Sequence, residues 1–429
     1  MKAAFCLGIA CGLLFAWHAL GADSGPSKFL GPGSCSSPSC HGGVQARNLT
    51  SIPQNEYSTW VVHDKHAHAF TNLTNETGMR MARILGIGAP DASAGCLGCH
   101  ALDVPADQRG HTLDLADGVG CENCHGPSSA WLGPHTTRGW TFEKSLELGL
   151  YDTRDLIKRT EKCLTCHLGT SERGVDHELI AAGHPDLYFE LASFSAVMPP
   201  HWKDRDSDPW FTVRAMAVGQ AVQLREQLKR IARESRSGAW PEYAELDCFS
   251  CHHSLTAAKD SWRQERGYHG RRPGTPPLNL SRYVVLRHVV QAMDTTAAPE
   301  FASAMDQVSA AANAIRDPAQ LASTAISASE MVGKLAARLN TVRFDQAQTL
   351  RLLKSISGDG GLADQGERAA EQATMVLDAL FIAYTKAGKL ANEAQIRSGI
   401  NALFRQLDDP SAYDAPKFAA AMKSLSSSF

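Results

Sequence analysis

The sequence predicts a mainly α protein in two parts, a loop-rich first part followed by a bundle of helices. Apolar residues recur at helical spacing in several stretches, most clearly from Trp210 to Arg236. Five short motifs, each with two cysteines and a histidine, lie within residues 31–293. Residues 300–429 contain no cysteine, histidine or tryptophan. We therefore expect one domain at 31–293, a second at 300–429, and a boundary near 294–300, where the helical pattern is interrupted.

Four of the motifs have the form Cys-x-x-Cys-His, which is the attachment signature of a c-type haem. Two thiols reach the two vinyl groups of one porphyrin, and the adjoining histidine binds the iron. The cysteines predicted to attach haem in this way are Cys96 and Cys99, Cys121 and Cys124, Cys163 and Cys166, and Cys248 and Cys251. The proximal iron ligands predicted by the same motifs are His100, His125, His167 and His252.

A longer motif upstream predicts one more haem. Cys35 and Cys40 are separated by four residues instead of two, but the terminal Cys-His pair keeps His41 in the proximal position. Pro38 can bulge the longer loop, and a disulfide or two free thiols are the alternatives. The expected cofactors are therefore five c-type haems, of which the one at Cys35 and Cys40 depends on a looser spacing.

The cysteine count favours haem over other uses of these motifs. Of the 12 cysteines, ten lie in the five motifs, and Cys6 and Cys11 lie in the apolar N-terminus. None is left for a structural disulfide. Zinc is the rival interpretation of paired cysteines, but zinc sites do not require a histidine directly after every second cysteine.

The N-terminus has the features of a secretory signal peptide, which we place at residues 1–22. Lys2 supplies the positive charge, an apolar stretch follows, and small residues near Ala22 form a cleavage site. An uncleaved anchor is the alternative, because the apolar stretch approaches bilayer-spanning length. Haem attachment of this kind takes place outside the cytoplasmic membrane. We therefore expect a periplasmic or extracellular bacterial protein without a membrane span after cleavage.

Five haems within residues 31–293 leave too few residues for a conventional core around each one. A porphyrin is a large apolar plate, so covering it buries hydrophobic surface that side chains otherwise supply. We expect a haem-packed, loop-rich domain with short helices and almost no sheet. The helices predicted in it are Asn55–Asn72, His177–Gly183 and Trp210–Arg236.

Residues 300–429 are predicted to form antiparallel helices with a nearly neutral surface. Apolar stripes run from Ile326 to Leu339 and from Val376 to Tyr384, and Gly358–Gly361 form a hinge between them. We expect a haem-free bundle that caps the haem array; a docking module for a redox partner, or for another copy, is the alternative. The net charge of −3 gives no reason to expect a nucleic-acid partner.

The motifs also resemble a known family. Trp60, the His66-Ala67-His68-Ala69 segment and the second to fourth motifs look like the tetrahaem cytochromes c of nitrifiers, which accept electrons from hydroxylamine oxidoreductase. The resemblance covers about residues 35–170, and the Gly118–Pro127 segment, Gly-Val-Gly-Cys-Glu-Asn-Cys-His-Gly-Pro, is its most specific part. A wider set of exported multihaem cytochromes is similar at Gly183-His184-Pro185 and Cys251-His252-His253. The longer first motif, the fifth motif and the helical tail depart from the nitrifier family.

The resemblance implies several distal iron ligands. It places His66 opposite His167 and His135 opposite His41. We expect His184 opposite His125, because the helix stop at Gly183-His184-Pro185 projects its ring from a fixed turn. In the resembled cytochromes the second haem, here on His100, lacks a sixth protein ligand, and His111 either closes it or lines a pocket. The histidines that compete for the fifth haem are His177, His201, His253, His269 and His288.

The favoured function is electron transfer through five haems, most of them with two axial histidines, because a second axial histidine leaves an iron only electron exchange. The donor and acceptor proteins are not predicted. The alternative is an oxidoreductase acting on a small nitrogen or sulfur compound at an open haem on His100. Proton donors near it are His111, Asp103, Asp107 and Arg109. A third possibility is a structural element that self-assembles through the C-terminal helices.

Overall fold

The structure is a computed structural model that describes residues 26–47, 52–170, 173–203, 207–252, 275–314, 317–388 and 390–429. The predicted signal peptide, His253 and His269 lie outside these residues. Within them the chain is mainly α, and its only extended pairings are two isolated bridges, Phe29 with Arg109 and Leu246 with Leu278. The prediction of a mainly α fold is confirmed.

The first part of the chain consists of short helices joined by loops. Most of its helices have ten residues or fewer, and single 3₁₀ turns lie between them. In chain order, helices α1 to α9 are Glu56–His63, Thr71–Thr74, Glu76–Leu85, Ala94–His100, Cys121–His125, Phe142–Glu147, Leu156–His167, His177–Ala181 and Leu191–Val197.

The helices from residue 211 onward are mainly longer. Aspartates cap three of them, since the side chains of Asp317, Asp345 and Asp414 accept hydrogen bonds from backbone N–H groups of the first turn. In chain order, helices α10 to α18 are Phe211–Ser237, Ser281–Val284, Leu286–Met293, Ala298–Ala314, Pro318–Leu339, Gln346–Ser357, Glu367–Ala387, Glu393–Arg405 and Ala415–Ser426. No helix of the described ranges combines the length and apolar character needed to cross a membrane.

The predicted helix Asn55–Asn72 is wrong in one respect, because it is broken at Asp64. This residue is extended, with φ −87° and ψ 125°. Its carboxylate accepts a hydrogen bond from the backbone N–H of His66 at 3.0 Å, which starts a separate 3₁₀ turn, Lys65–His68. A capping side chain at this position competes with helix continuation, although the apolar spacing runs on.

Helix α10 is the centre of the main hydrophobic core. The six residues of its predicted apolar stripe are at most 1% exposed: Val213, Ala217, Ala221, Leu224, Leu228 and Ile231. The helix packs along α14, where the Arg225 side chain of α10 lies against Gly333. The same core continues through the C-terminal helices to Leu425. The division near 294–300 stays a prediction.

The chain before α7 contributes little to this core. Its own apolar cluster in the described residues contains only Leu73, Leu97 and Ala101, with a few partly buried neighbours. A region of this length with so little buried side-chain surface needs another source of hydrophobic burial. Covered haem faces are the source that the motifs predict.

Leu224 provides a test of the shared core. Because its side chain is 1% exposed, the Leu224→Ala substitution removes buried methyl groups and leaves a cavity, which costs about 2–5 kcal/mol of the free energy of unfolding. Chemical unfolding followed by far-ultraviolet circular dichroism measures this change. Arg236→Ala, on an exposed position of the same helix, should shift the midpoint little. Equal shifts in the two variants would contradict the packing described for α10.

Candidate haem-binding sites

Four of the five proximal histidines lie opposite a second histidine at nearly the same distance. The ring centres are 6.2 Å apart in His41–His135, 6.2 Å in His66–His167, 6.3 Å in His100–His184 and 6.2 Å in His177–His252. Two imidazoles bound on opposite sides of one metal ion, through bonds of about 2 Å, have ring centres about 6 Å apart. The four pairs therefore have the spacing that a single iron between them requires.

Hydrogen bonds select the ring nitrogen that remains available in five of these histidines. In each case Nδ1–H donates to an oxygen atom, which leaves the Nε2 lone pair free for a metal. The acceptors are Glu56 Oε2 for His41 at 3.0 Å, Asp64 Oδ1 for His66 at 2.9 Å, Ala69 O for His100 at 2.9 Å, Leu132 O for His135 at 2.6 Å and Pro185 O for His184 at 2.7 Å.

Burial keeps two proximal histidines in the form that binds metals. It lowers the pKa of His125 to about 4, and the charges of His201 and His41 add to this effect. Burial also lowers the pKa of His167 to about 4, with a smaller contribution from His66. Both imidazoles are therefore neutral at pH 7, and a neutral imidazole is the species that ligates iron.

A cavity of about 880 Å³ is lined by residues of the first, third and fourth motifs. Its walls include Cys35, His41, Cys121, His125 and Cys163, together with several aromatic side chains. One of these, Trp131, is 9% exposed, and its buried Nε1 has no hydrogen-bond partner within the described residues. Thiols, imidazoles, an apolar wall and an unpaired donor fit a porphyrin, whose propionate groups can accept from such a donor.

Glu122 fixes the third motif to the N-terminal segment, a role that the motif spacing alone does not reveal. The carboxylate is 2% exposed and accepts hydrogen bonds from the backbone N–H groups of Leu30, Gly31 and Ser128 at 2.6–3.0 Å. It therefore holds the chain before the first motif against α5. The sequence signal for Glu122 was its place in the Gly118–Pro127 segment, the most specific part of the resemblance, which did not reveal what the carboxylate binds.

The glycines before Cys121 allow the third motif to approach the turn that carries His66. Gly118 has φ 70°, and a Cβ atom there would lie 2.8 Å from the carbonyl oxygen of His66. Val119 then donates its N–H to that same oxygen at 3.0 Å and accepts from Trp60 Nε1 at 3.0 Å. The backbone contact that positions His66 thus requires glycine at position 118.

The structure brings together the residues of two predicted pairs and changes the third. His66 lies opposite His167 and His135 opposite His41, and their roles as iron ligands stay predictions. The expected pairing of His184 with His125 is wrong, because His184 lies beside His100. The turn at Gly183 packs on α3, where a Cβ atom would lie 3.2 Å from Arg80 Nη2, and this contact directs the next residue toward α4.

The fifth motif lies opposite His177, one of the five histidines between which the sequence did not decide. Glu242 accepts hydrogen bonds from the N–H groups of His177 and Ala244 at 3.0 and 2.8 Å, which joins the start of α8 to the segment before the motif. Tyr243 packs edge-on against the His177 ring at 5.6 Å. His252 is exposed, as are Cys248 and Cys251, so this site is the most open to solvent.

The remaining described histidines have other surroundings. The Nε2–H group of His288 donates to Asp359 at 2.9 Å, and its Nδ1 forms a hydrogen bond with the Ser355 hydroxyl at 2.6 Å, so both ring nitrogens are engaged. It connects α12 to the end of α15 and has no nitrogen left for iron. His63, His68 and His111 are exposed.

The cysteines of neighbouring motifs are close together in an order that differs from the order in the chain. A hydrogen bond with Cys121 lowers the pKa of the Cys35 thiol to about 7. A hydrogen bond with Cys99 likewise lowers the pKa of the Cys166 thiol to about 6. Burial and then the charge of Cys124 raise the pKa of Cys163 to about 12. The first, third, fourth and second motifs are therefore consecutive in space.

A cluster of charged residues lies beside the fifth motif. Arg368, at the start of α16, forms an ion pair with Asp186, and both charges reach Cys248. Burial raises the pKa of Glu371 to about 8, and the neighbouring carboxylates Glu367 and Asp186 contribute to the rise. Helix α16 is thus connected to the fifth motif through charged side chains.

Comparisons with known proteins agree with the motifs in the first part of the chain. Residues 35–126 match the family model described as cytochrome c554 and c-prime. A curated protein, cytochrome c-554 of Nitrosomonas europaea, is 37% identical over 83 residues, which are 17% of this chain and 34% of that protein. The chain thus spans about a third of the length of the relative that it matches. No solved structure matches the chain. The similarity supports a c-type cytochrome with covalently bound haem.

Glu122→Ala tests the anchoring role of this carboxylate. The substitution leaves three backbone N–H groups, two of them buried, without their acceptor, and we expect a loss of about 3 kcal/mol in the free energy of unfolding. Glu147→Ala, at an exposed position, is the matched control. If chemical unfolding gave the same midpoint for both variants, Glu122 would not be the anchor.

Glu371→Gln tests the half-buried carboxylate near the fifth motif. The native state holds this proton more tightly than the unfolded state, so ionisation costs stability as pH rises from about 4.5 to about 8. The glutamine variant should therefore melt at a higher temperature than the wild type at pH 8.5 and at a similar temperature at pH 4. Glu330→Gln, at an exposed position of α14, should show no such pH dependence. A pH-independent effect of Glu371→Gln would contradict the raised pKa.

Proposed function

We propose that this chain is an electron-transfer protein that carries five c-type haems, most of them with two axial histidines. The observation that carries the proposal is the set of four histidine pairs with ring centres 6.2–6.3 Å apart, each containing a proximal histidine of one motif. When bound, each haem supplies an iron that alternates between its ferric and ferrous states.

The chain's own residues hold the haems and set their surroundings. Each motif supplies two thiols for covalent attachment and one proximal imidazole. The Nδ1 hydrogen bonds orient the imidazoles and increase their basicity, and these two effects tune the affinity and the potential of a bound metal. Two axial nitrogen ligands favour a low reduction potential and leave no position for a substrate.

The spatial order of the motifs supports a chain of closely spaced redox centres. Contacts between thiols join the first motif to the third and the fourth to the second, and the third and fourth are neighbours through Cys124 and Cys163. Asp186, two residues after His184, interacts with Cys248 and so connects the second site to the fifth. Electron tunnelling falls steeply with distance, and an enzyme with one reactive iron has no need of so long a series.

The alternative of an open, reactive haem on His100 has little support. His184 lies opposite His100, at the separation of the other pairs, where a substrate would have to bind. His111 is exposed, and Arg109 and Asp103 form an ion pair with each other at 2.7 Å. These residues are therefore better described as a polar surface than as a proton-donating pocket.

The proposal also includes an exported location and redox proteins as partners. The signal peptide at residues 1–22 supports a periplasmic or extracellular location, and the donor and acceptor are redox proteins. Residues 300–429 bury their apolar faces in the core that they share with α10, which supports a capping role rather than self-assembly.

Haem counting tests the proposal directly. Intact mass under denaturing conditions should show the polypeptide without residues 1–22 and with five covalent haems, and the Cys248→Ala, Cys251→Ala double variant should carry four. Spectroelectrochemical titration should then resolve five one-electron centres at low potential. A double variant with the same haem count as the wild type would contradict attachment at the fifth motif, and a purified protein without covalent haem would contradict the function.

A further inference from the structure

The proximal histidine of the third motif differs from the other four. Within the described residues no second histidine ring is in contact with His125, whereas each of the other proximal rings has one at 6.2–6.3 Å. His184, the expected partner, is used by His100. The four pairs thus leave one iron without an assigned sixth ligand.

His201 is the unpaired histidine that lies in the same cavity. It lines the cavity of about 880 Å³ together with Cys121, Cys124 and His125. The other histidines that line this cavity, His41, His66 and His135, each belong to one of the four pairs. Among the described residues, His125 and His201 are therefore the two histidines of the cavity without a partner in those pairs.

The hydrogen bonding of His201 is that of the paired histidines. Its Nδ1–H donates to the carbonyl oxygen of Pro199 at 3.1 Å, which leaves Nε2 free. The side chain is half-buried, and Trp202 packs edge-on against its ring at 4.7 Å. Two prolines, at positions 199 and 200, restrict the backbone that carries it.

The other unpaired histidines of the described ranges lack this combination. His288 has both nitrogens engaged by Ser355 and Asp359. His63, His68 and His111 are exposed, and none of them lines the cavity.

We propose that His201 is the sixth ligand of the iron in the third site, opposite His125. This assignment rests on the proposed function, since it requires a haem at Cys121 and Cys124. The two rings do not have the separation of the four pairs in this structure, so the assignment requires Nε2 of His201 to approach the third site when the haem is bound. All five irons then have two axial histidines, and no haem is open to a substrate.

Spectroscopy of the oxidised protein tests the assignment. Wild type, His201→Ala and the control His111→Ala are purified with their haems and counted by intact mass. Low-temperature electron paramagnetic resonance should show only low-spin ferric signals in the wild type and in His111→Ala. In His201→Ala one haem of the five should become high-spin, and added imidazole should return it to low spin.

A second variant covers the case in which His201→Ala does not accumulate. His201→Met keeps a ligand at this position, so one haem should remain low-spin, acquire the near-infrared band of methionine ligation and show a raised reduction potential. Three results would overturn the assignment. The first is a high-spin haem in the wild type that the His201→Ala substitution leaves unchanged. The others are a His201→Ala protein in which every haem stays low-spin, and a His201→Met protein that lacks the near-infrared band. In each of these results five haems remain, so the proposed function stands. Fewer than five haems in the wild type would contradict the proposed function itself.

Discussion

The hydrogen bond from a histidine Nδ1–H group to a nearby oxygen atom recurs at His41, His66, His100, His135 and His184. An imidazole whose Nδ1 is free can rotate and change tautomer, and it then presents either nitrogen to a metal. The acceptors come from short-range backbone in some cases, as for His184 with Pro185, and from a distant element in others, as for His100 with Ala69. The helix break at Asp64 places one of these acceptors, and the close contact at Gly118 positions the turn that carries His66. The orientation of these imidazoles thus depends on ordinary polar contacts.

The part of the chain before α7 and the part from α7 onward are stabilised by different means. From α7 onward the structure depends on apolar burial, with α10 surrounded by helices from both halves. Before α7 the polar anchors dominate: Glu122 holds the N-terminal segment, and Asp64 holds the His66 turn. A polar anchor fixes position but supplies little hydrophobic free energy. The first part therefore depends on its bound groups for burial more strongly than the second part does.

Sequence patterns predicted some of these features well and others not at all. The buried stripe of α10 followed from its period, because a long helix with one apolar face has few alternatives. The break at Asp64 did not, since the apolar spacing continues across it and only the local hydrogen bond ends the helix. The partner of His184 was missed for a different reason: the Gly183-His184-Pro185 turn was recognisable, but the element against which it packs is a property of the tertiary structure. The similarity to cytochrome c-554 covers 83 residues and could not supply that contact. Likewise, the pairing of His177 with the fifth motif depends on Glu242, which has no sequence signature.

The separation of the paired histidines along the chain has a consequence for how this protein matures. His41 and His135, like His66 and His167, are about a hundred residues apart in the sequence. An iron held between such residues closes a large loop, and the entropic benefit of a closed loop increases with its length, as for a metal clip or a disulfide. In the pair His41 and His135 the predicted proximal histidine comes first in the chain, whereas in the pair His66 and His167 the predicted distal histidine comes first. A haem attached at the first motif during export would therefore begin with one protein ligand. The last bond to form at each site is then a cross-link that fastens distant segments together. The chain would then reach its final fold when the second histidine binds each iron.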